Sequence, residues 1–296
     1  MTSEITLFVN PTAGRGRGAR AALPAASALR AAGCSVRTVH GRSAEEALAR
    51  ARAAVAEGTD ALVAVGGDGL VHLALQAVAG TRTPLGVVPV GTGNDFARAL
   101  GLPLGDPAAA GRLVADALRA GRIRDVDLGQ AGDRWFGTVL ASGFDSRVND
   151  RGDRMRWPAG RARYDLAMLA ELTALRPLPY RITLDDGAVR EVEATLVAVG
   201  NGPSYGGGMR MCPGADLTDG LLDVTVVGAC GRGTLLRVFP RVYRGTHVDR
   251  PEITVHRAVS VRLAAADVTG YADGEPLGPL PLTVRCVPAA VRIVGP

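Results

Sequence analysis

Apolar residues come along the first part of the chain in two alternating rhythms. Short continuous runs at Ile5–Asn10, Ser35–His40, Ala61–Val65 and Leu85–Val88 read as strands buried on both faces. Between them stand stretches with helical spacing, near Ala19–Ala32, across Ser43–Glu57 and over Val71–Val78. Two more helices are predicted from Asn94 to Leu100 and from Pro107 to Ala120. Strands that alternate with helices pair in parallel, because the helix returns the chain to the same end of the sheet. Residues 1–124 are therefore expected to form an α/β domain.

Beyond that point the pattern turns to strands: Ile123–Leu128, Trp135–Ala141, Arg181–Leu184, Ala194–Val199, Leu222–Val227, Val259–Leu263 and Leu282–Val287. A helix is predicted over Ala162–Leu175 and a weaker one near Thr234–Tyr243. Strand runs broken by Gly and Pro turns suggest a sandwich-like β-rich domain over 125–296, its last strand packing back on the first domain. There is no internal repeat, low-complexity tract or long linker.

Length agrees with two units, since 296 residues exceed the roughly 100–200 of a typical domain. The 47% hydrophobic and 21% charged fractions fit globular cores rather than disorder. All 34 basic residues are arginine, against 29 acids, a balance of 34 − 29 = +5. The absence of lysine excludes a Walker-A lysine, a protein-kinase lysine and Schiff-base chemistry. A phosphate cradle must then use backbone N–H groups, arginines and metal. The positive balance suits anionic membrane or phosphate ligands, and a codon bias toward arginine accounts for it equally well. Cys34, Cys212, Cys230 and Cys286 lie far apart, which argues against a zinc site and for a reduced cytoplasmic protein. The start of the chain reads as a strand, and no apolar run approaches the roughly 18 residues of a membrane span.

Four glycine-rich segments follow predicted strands, at Asn10–Gly18, Gly66–Gly69, Pro89–Arg98 and Gly200–Gly208. In a parallel sheet the first three converge at the carboxyl edge, where ligands bind. In the first, Gly14, Gly16 and Ala19 match a dinucleotide fingerprint. However, Asn-Pro-Thr-Ala intervenes after the strand, and the next strand ends in Val39-His40 with no acid for a ribose. A flexible turn ahead of a helix accounts for the glycines but not for Arg15 and Arg17. In the second, glycines can aim N–H groups at phosphate, and Asp68 among them implies an intervening cation if phosphate binds. A plain glycine turn satisfies the same residues. In the third, Thr92 and Asn94 can cap a helix with Asp95 in its first turn.

Together, Asn10-Pro11 with Gly14, the Gly66-Gly67-Asp68-Gly69 turn and Gly91-Thr92-Gly93-Asn94-Asp95-Phe96-Ala97-Arg98 resemble the diacylglycerol kinase catalytic family. That family includes bacterial lipid kinases and the sphingosine and ceramide kinases. The resemblance continues through Gly200-Asn201-Gly202, Gly206–Met209, Asp216–Asp223 and Tyr271–Leu277, in order along nearly the whole chain. It implies a phosphofructokinase- and NAD-kinase-like nucleotide domain, a β-rich second domain and a cleft between them. It places ATP on Asn10, on Gly14, Arg15, Gly16 and Gly18, on Thr38, on Gly66, Gly67, Asp68, Gly69 and His72, and on Thr92 and Asn94. It puts Asp68 and Asp95 in a magnesium network, and Asp273 and Glu275 as an essential acidic pair. A second, structural magnesium would use the Asp219 side chain with carbonyls of Asp216 and Leu221.

Two positions depart from the family's G-G-D-G-T pattern with Asn two residues after the Thr, since this chain has Leu70 and His72. The backbone cradle survives the lost hydroxyl, and His72 can still make one hydrogen bond. The expected reaction is transfer of the γ-phosphoryl of ATP to a lipid hydroxyl, most simply diacylglycerol to phosphatidic acid, with Asp273 or Glu275 as base. The D-G pair of Asp273-Gly274 is also a strong hairpin signal. The competing readings are a soluble-acceptor kinase such as an NAD kinase, and a non-catalytic lipid or nucleotide sensor. Arg147, Arg151, Arg154, Arg156, Arg161 and Arg163 around Trp157 suggest peripheral membrane contact, or a solvated face over a core helix. No nucleic-acid partner is expected, and a homodimer is left open.

Overall fold

The computed structural model describes residues 3–10, 13–144, 146–148, 151, 155, 170–171 and 175–295. Strands β1 (Glu4–Val9), β2 (Ser35–Val39), β3 (Ala61–Gly66) and β4 (Leu85–Pro89) lie in the order β4-β3-β1-β2, all parallel. The two-residue period of a strand decides what covers each face. Ile5, Leu7 and Val9 pack against Ala21, Ala25 and Leu29 of α1 (Ala13–Ala31) and Val114 of α5 (Pro107–Arg119). Phe8 points the other way, into the cluster under α2 (Ala44–Ala56) and α3 (Asp68–Val78). A short α4 (Asp95–Ala99) follows β4.

The rest is β-rich. Strand β5 (Ile123–Ala131) leads to β6 (Arg134–Phe136), β7 (Val139–Gly143), β8 (Leu178–Leu184), β9 (Arg190–Gly200) and β10 (Leu222–Gly228). After α6 (Arg232–Val242) come a 3-10 turn at Thr246–Asp249, β11 (Ile253–Ala258), β12 (Ser260–Ala264), β13 (Thr269–Ala272), β14 (Glu275–Pro279) and β15 (Leu282–Val294). Tyr180, Phe136, Leu140, Leu222 and Val261 centre this half's own core. Strand β15 joins the halves: it pairs with β12 and β5 antiparallel, and at Ile293↔Leu85 with β4 in parallel.

The structure departs from the sequence pattern in four places. Helix α1 begins at Ala13, so the backbone of Gly14, Gly16 and Gly18 is helical rather than a turn ahead of the helix. The single strand expected over Trp135–Ala141 is two, interrupted at Gly137-Thr138 because those two N–H groups go to the Asp273 carboxylate. Strand β15 runs past Val287 through a register shift, held where Ala289, at φ 52°, donates its N–H to Asp127 Oδ1 at 2.8 Å. Strands β11, β13 and β14 lie outside the predicted set of strands, although Asp273-Gly274 signalled the turn between the last two. Most of the predicted helix Ala162–Leu175 lies outside the described residues.

Leu70 is a core residue, 5% exposed, whose side chain folds back over Gly66; a Cβ there would lie 2.6 Å from Leu70 Cδ2. A hydroxyl at this position would be buried against apolar neighbours. Leu70→Thr should therefore destabilise the protein by about 2–4 kcal/mol, as for other large-to-small core changes. Thermal unfolding of the variant checks this, and an unchanged midpoint would refute it.

Candidate active site

Asn10 ends β1, Thr38 sits on β2, and the Gly66–Gly69 and Gly91–Asn94 loops follow β3 and β4, so all lie at the carboxyl edge of the parallel strands. Thr38 and Thr92 are exposed there. At Gly67 and Gly91 the last two loops touch backbone to backbone: a Cβ on Gly91 would fall 2.6 Å from Gly67 Cα, so any side chain there would push them apart.

Asp68 holds this contact. Its Oδ2 accepts the Asn94 N–H at 2.7 Å and its Oδ1 the Asp95 N–H at 2.7 Å. The carboxylate thus caps α4 from the neighbouring loop, where a negative charge meets the unsatisfied N–H groups of the first turn. The capping role predicted for Asn94 is not seen. Its backbone is left-handed at φ 56°, and its amide closes onto Gly91, Oδ1 accepting the Gly91 N–H and Nδ2 donating to the Gly91 carbonyl, both at 2.9 Å.

Asp95 carries the chain of contacts into the second half. It is 4% exposed and accepts the N–H of Gly207 at 2.7 Å and of Gly208 at 2.8 Å, with the Ser204 hydroxyl at 3.3 Å. Gly206, Gly207 and Gly208 are all left-handed, at φ 61°, 83° and 103°, so the loop can present consecutive N–H groups only because it is glycine. Burial first, then the nearby Asp95 charge, push the Asp68 carboxyl above its ordinary range. Asp68 Oδ2 and Asp95 Oδ2 bound the small space that a Gly93 side chain would fill, 2.5 and 3.3 Å from that Cβ position.

The acidic pair meets the same loops from the far side. Asp273 and Gly274 form the β13–β14 turn, both left-handed, so the hairpin reading of D-G is correct. The Asp273 side chain, 7% exposed, accepts from Gly137 N at 2.8 Å, Thr138 N at 2.9 Å and Thr138 Oγ1 at 2.6 Å. His72 Nδ1 lies 3.4 Å from its Oδ2. Burial alone would raise this carboxyl; the bonds from His72, Thr138 and Gly137 outweigh it and hold it below the usual range. Glu275, two residues on, places Oε1 3.3 Å from the Cβ position of Gly69, directly over the Gly66–Gly69 loop.

His72 was expected on the nucleotide. Its ring is only 1% exposed, packed between Asp273 and Arg134, whose Nη2 is 3.5 Å from Nε2. The ring is therefore buried between α3 and the Asp273 turn. An ionised carboxylate and a guanidinium on opposite nitrogens select the tautomer with hydrogen on Nδ1. One turn later Gln76 donates to the Trp135 carbonyl at 2.7 Å and accepts its N–H at 3.0 Å. Sequence patterning missed Gln76, Thr138 and Arg134, which carry no motif of their own.

The set expected to hold a structural cation is closed in another way. Asp219 Oδ1 accepts the Leu221 N–H at 3.0 Å and Oδ2 is paired with Arg257. Arg257 Nε also reaches buried Asp223 at 3.1 Å, and Asp216 Oδ1 takes the Thr218 N–H and hydroxyl at 2.9 and 2.7 Å. A guanidinium thus stands where a divalent ion was expected. Among the described residues no group of three His, Cys, Asp or Glu side chains is placed to hold a metal. Arg257→Gln should lower the thermal midpoint, because Asp223, whose carboxyl burial already pushes above its ordinary range, loses the guanidinium that offsets that burial; the loss should shrink as the pH falls and this carboxyl protonates. Chelator should leave the unsubstituted protein's midpoint unchanged. A chelator-sensitive midpoint would restore the cation.

The match to known proteins follows this geometry. Residues 4–131 match the diacylglycerol kinase catalytic domain, and 138–295 the YegS C-terminal NAD kinase beta sandwich-like domain. A diacylglycerol kinase of Mycobacterium tuberculosis is 46% identical over 298 residues, covering 99% of this chain and 95% of the relative. The crystal structure of a putative diacylglycerol kinase from Bacillus anthracis superposes with a TM-score of 0.82 at 25% identity, covering 99% of this chain and 95% of that one. An NAD kinase from Archaeoglobus fulgidus shares the fold at a TM-score of 0.56 and 13% identity, covering 99% and 93%. Both halves and the loops between them thus align with one group of enzymes: the chain belongs to the diacylglycerol kinase catalytic family and is a kinase with an alcohol acceptor.

Proposed function

We propose that the protein transfers the γ-phosphoryl group of ATP to the free hydroxyl of diacylglycerol. The observation that carries this reading is the placement of Glu275 over the Gly66–Gly69 loop, with Asp68 and Asp95 behind it. Phosphoryl transfer needs charge neutralisation and an aligned hydroxyl more than covalent chemistry. Backbone N–H groups of the glycine loops supply part of the first. Two carboxylate oxygens converging beside Gly93 suit a hard divalent ion, which takes one or two carboxylates and completes its shell with substrate phosphates. Asp68 and Asp95 would hold magnesium, which supplies positive charge against the phosphates.

The two acids of the pair have different work. Asp273 has both oxygens engaged and is a weak base, so it positions. Glu275 is the group available to take the acceptor's proton. His72 fixes the Asp273 turn against α3 while Gln76 holds the Trp135 backbone, two residues before the Gly137 N–H that Asp273 accepts, and so they fix the height of Glu275 above the Gly66–Gly69 loop.

Radiolabelled ATP incubated with the protein and, separately, diacylglycerol, sphingosine and NAD tests the acceptor. Label in phosphatidic acid supports the reading, and label only in NADP overturns it. Glu275→Gln should cut kcat by about 100-fold or more, as for loss of a general base, with nucleotide affinity little changed. Asp273→Asn should instead lose about 1–3 kcal/mol of stability, because an amide nitrogen cannot accept the Gly137 or Thr138 N–H. His72→Ala should lower kcat with KM for ATP unchanged, and His72→Asn, which keeps a donor, should recover most of it. A fall confined to KM for ATP would return His72 to the nucleotide.

A further inference from the structure

The sequence pointed to Arg147–Arg163 as the membrane-facing stretch, but most of it lies outside the described residues. Arg151, which is described, pairs with buried Glu171 at 2.5 Å and so serves the fold. The strongest surface candidate lies elsewhere, on α6.

From the lipid-kinase reading and the character of this helix, we infer that the outer face of α6 docks on a phospholipid bilayer bearing anionic headgroups. No acidic residue occurs between Asp223 and Asp249, while Arg232, Arg237, Arg241 and Arg244 do, all exposed. The helix buries Val238 and Val242 and half-buries Leu235 and Phe239. Outward it presents Leu236, 57% exposed, and Tyr243, 40% exposed. Steps of 100° per residue put Leu236 and Tyr243 side by side next to the buried stripe, with Arg237, Arg241 and Arg244 further round. Tyr243 is braced edge-on by Phe239 at 5.9 Å.

One exposed leucine is ordinary, and so is one exposed arginine. Here they share a face of a helix that itself carries no carboxylate. Helices α2 and α5 behave differently, pairing Arg50 with Glu46 and Arg119 with Asp116 on their own surfaces. The next acids after α6 in sequence are Asp249 and Glu252, the latter paired with Arg250 and also acted on by Arg237. An apolar edge flanked by arginines is what an interfacial helix uses, with side chains in the headgroup boundary and cations at the phosphates.

The location fits the chemistry. Helix α6 roofs an apolar cavity lined also by Phe144, Tyr205, Met209, Met211 and His247. Tyr205 and Met209 bridge to each other and bracket the Gly206–Gly208 loop whose N–H groups hold Asp95. A bilayer touching the outer face of α6 would thus be separated from the loop that joins both halves of the active site by the helix and the cavity it roofs.

The test uses the full chain and vesicles of phosphatidylcholine with or without phosphatidylglycerol, binding being read by sedimentation without ATP. Leu236→Ser with Tyr243→Ser, and separately Arg241→Gln with Arg244→Gln, should each weaken binding to the anionic vesicles at least tenfold. The arginine pair should also flatten the salt dependence. Transfer to diacylglycerol in vesicles should fall with binding, while transfer to a short-chain, water-soluble diacylglycerol stays within twofold. Unchanged vesicle binding in both variants, or no binding by the unsubstituted protein, overturns the surface. Equal losses on the soluble substrate also overturn it, placing these residues in the fold or the site. Because binding is read without ATP, intact docking with no diacylglycerol phosphorylated would leave the surface standing and remove the kinase reading instead.

Discussion

Buried carboxylates must find hydrogen-bond donors, and four acids of this chain find them on backbone far away in sequence. Asp68 takes N–H groups 26 and 27 positions on, Asp95 takes them 112 and 113 on, and Asp273 reaches back 136 and 135. Asp127, 4% exposed, accepts Gly220 N at 2.7 Å and Ala289 N at 2.8 Å. An unpaired buried carboxylate is so costly that each acid forces its distant donors into one arrangement. The glycine loops make this geometry possible, and the acids make it unique. Remove the acids and the first and second halves would still have cores, but no fixed cleft.

This explains what could be read in advance. The parallel strands were legible because their apolar runs cannot be placed in water, and the convergence of Gly66–Gly69 and Gly91–Asn94 follows from a parallel sheet with no further information. Asp273-Gly274 was legible twice, as a hairpin turn and as a family motif, and both descriptions are true of the same residues. The Gly137-Thr138 interruption was not legible, because nothing in Trp135–Ala141 departs from a strand pattern; the cause is a carboxylate more than 130 positions away. Asn94 shows the same limit. Its residue type fits a cap, but Asp68 already holds the helix's N–H groups, so the amide serves the loop. At Asp219 the family pattern suggested a cation, and Arg257, which lies outside every motif, takes the place.

The two departures from the family pattern are now one feature of α3. Leu70 fills the space above Gly66, His72 reaches Asp273 and Gln76 grips the backbone of Trp135. Side chains that could have faced phosphate are committed to the core and to the second half. The helix gains rigidity against the β-rich half, and the phosphate loop is left with its backbone donors.

That exchange bears on how charge is balanced during transfer. Asp68, Asp95, Asp273 and Glu275 crowd one cleft, and the raised carboxyl of Asp68 reflects that crowding together with burial. On the proposed reading ATP would bring more negative charge to the same place. The chain has no lysine to offset it, Arg98 spends a guanidinium N–H on the Gly93 carbonyl at 3.2 Å, and Arg134 is turned toward His72. On the proposed reading, compact neutralisation would come from a cation carried in with the nucleotide, and the two acids nearest Gly93 are where such a cation would relieve protein and substrate together. The backbone donors that hold the acids stabilise the cluster in the protein alone, and on the proposed reading the substrate with its cation would complete the balance.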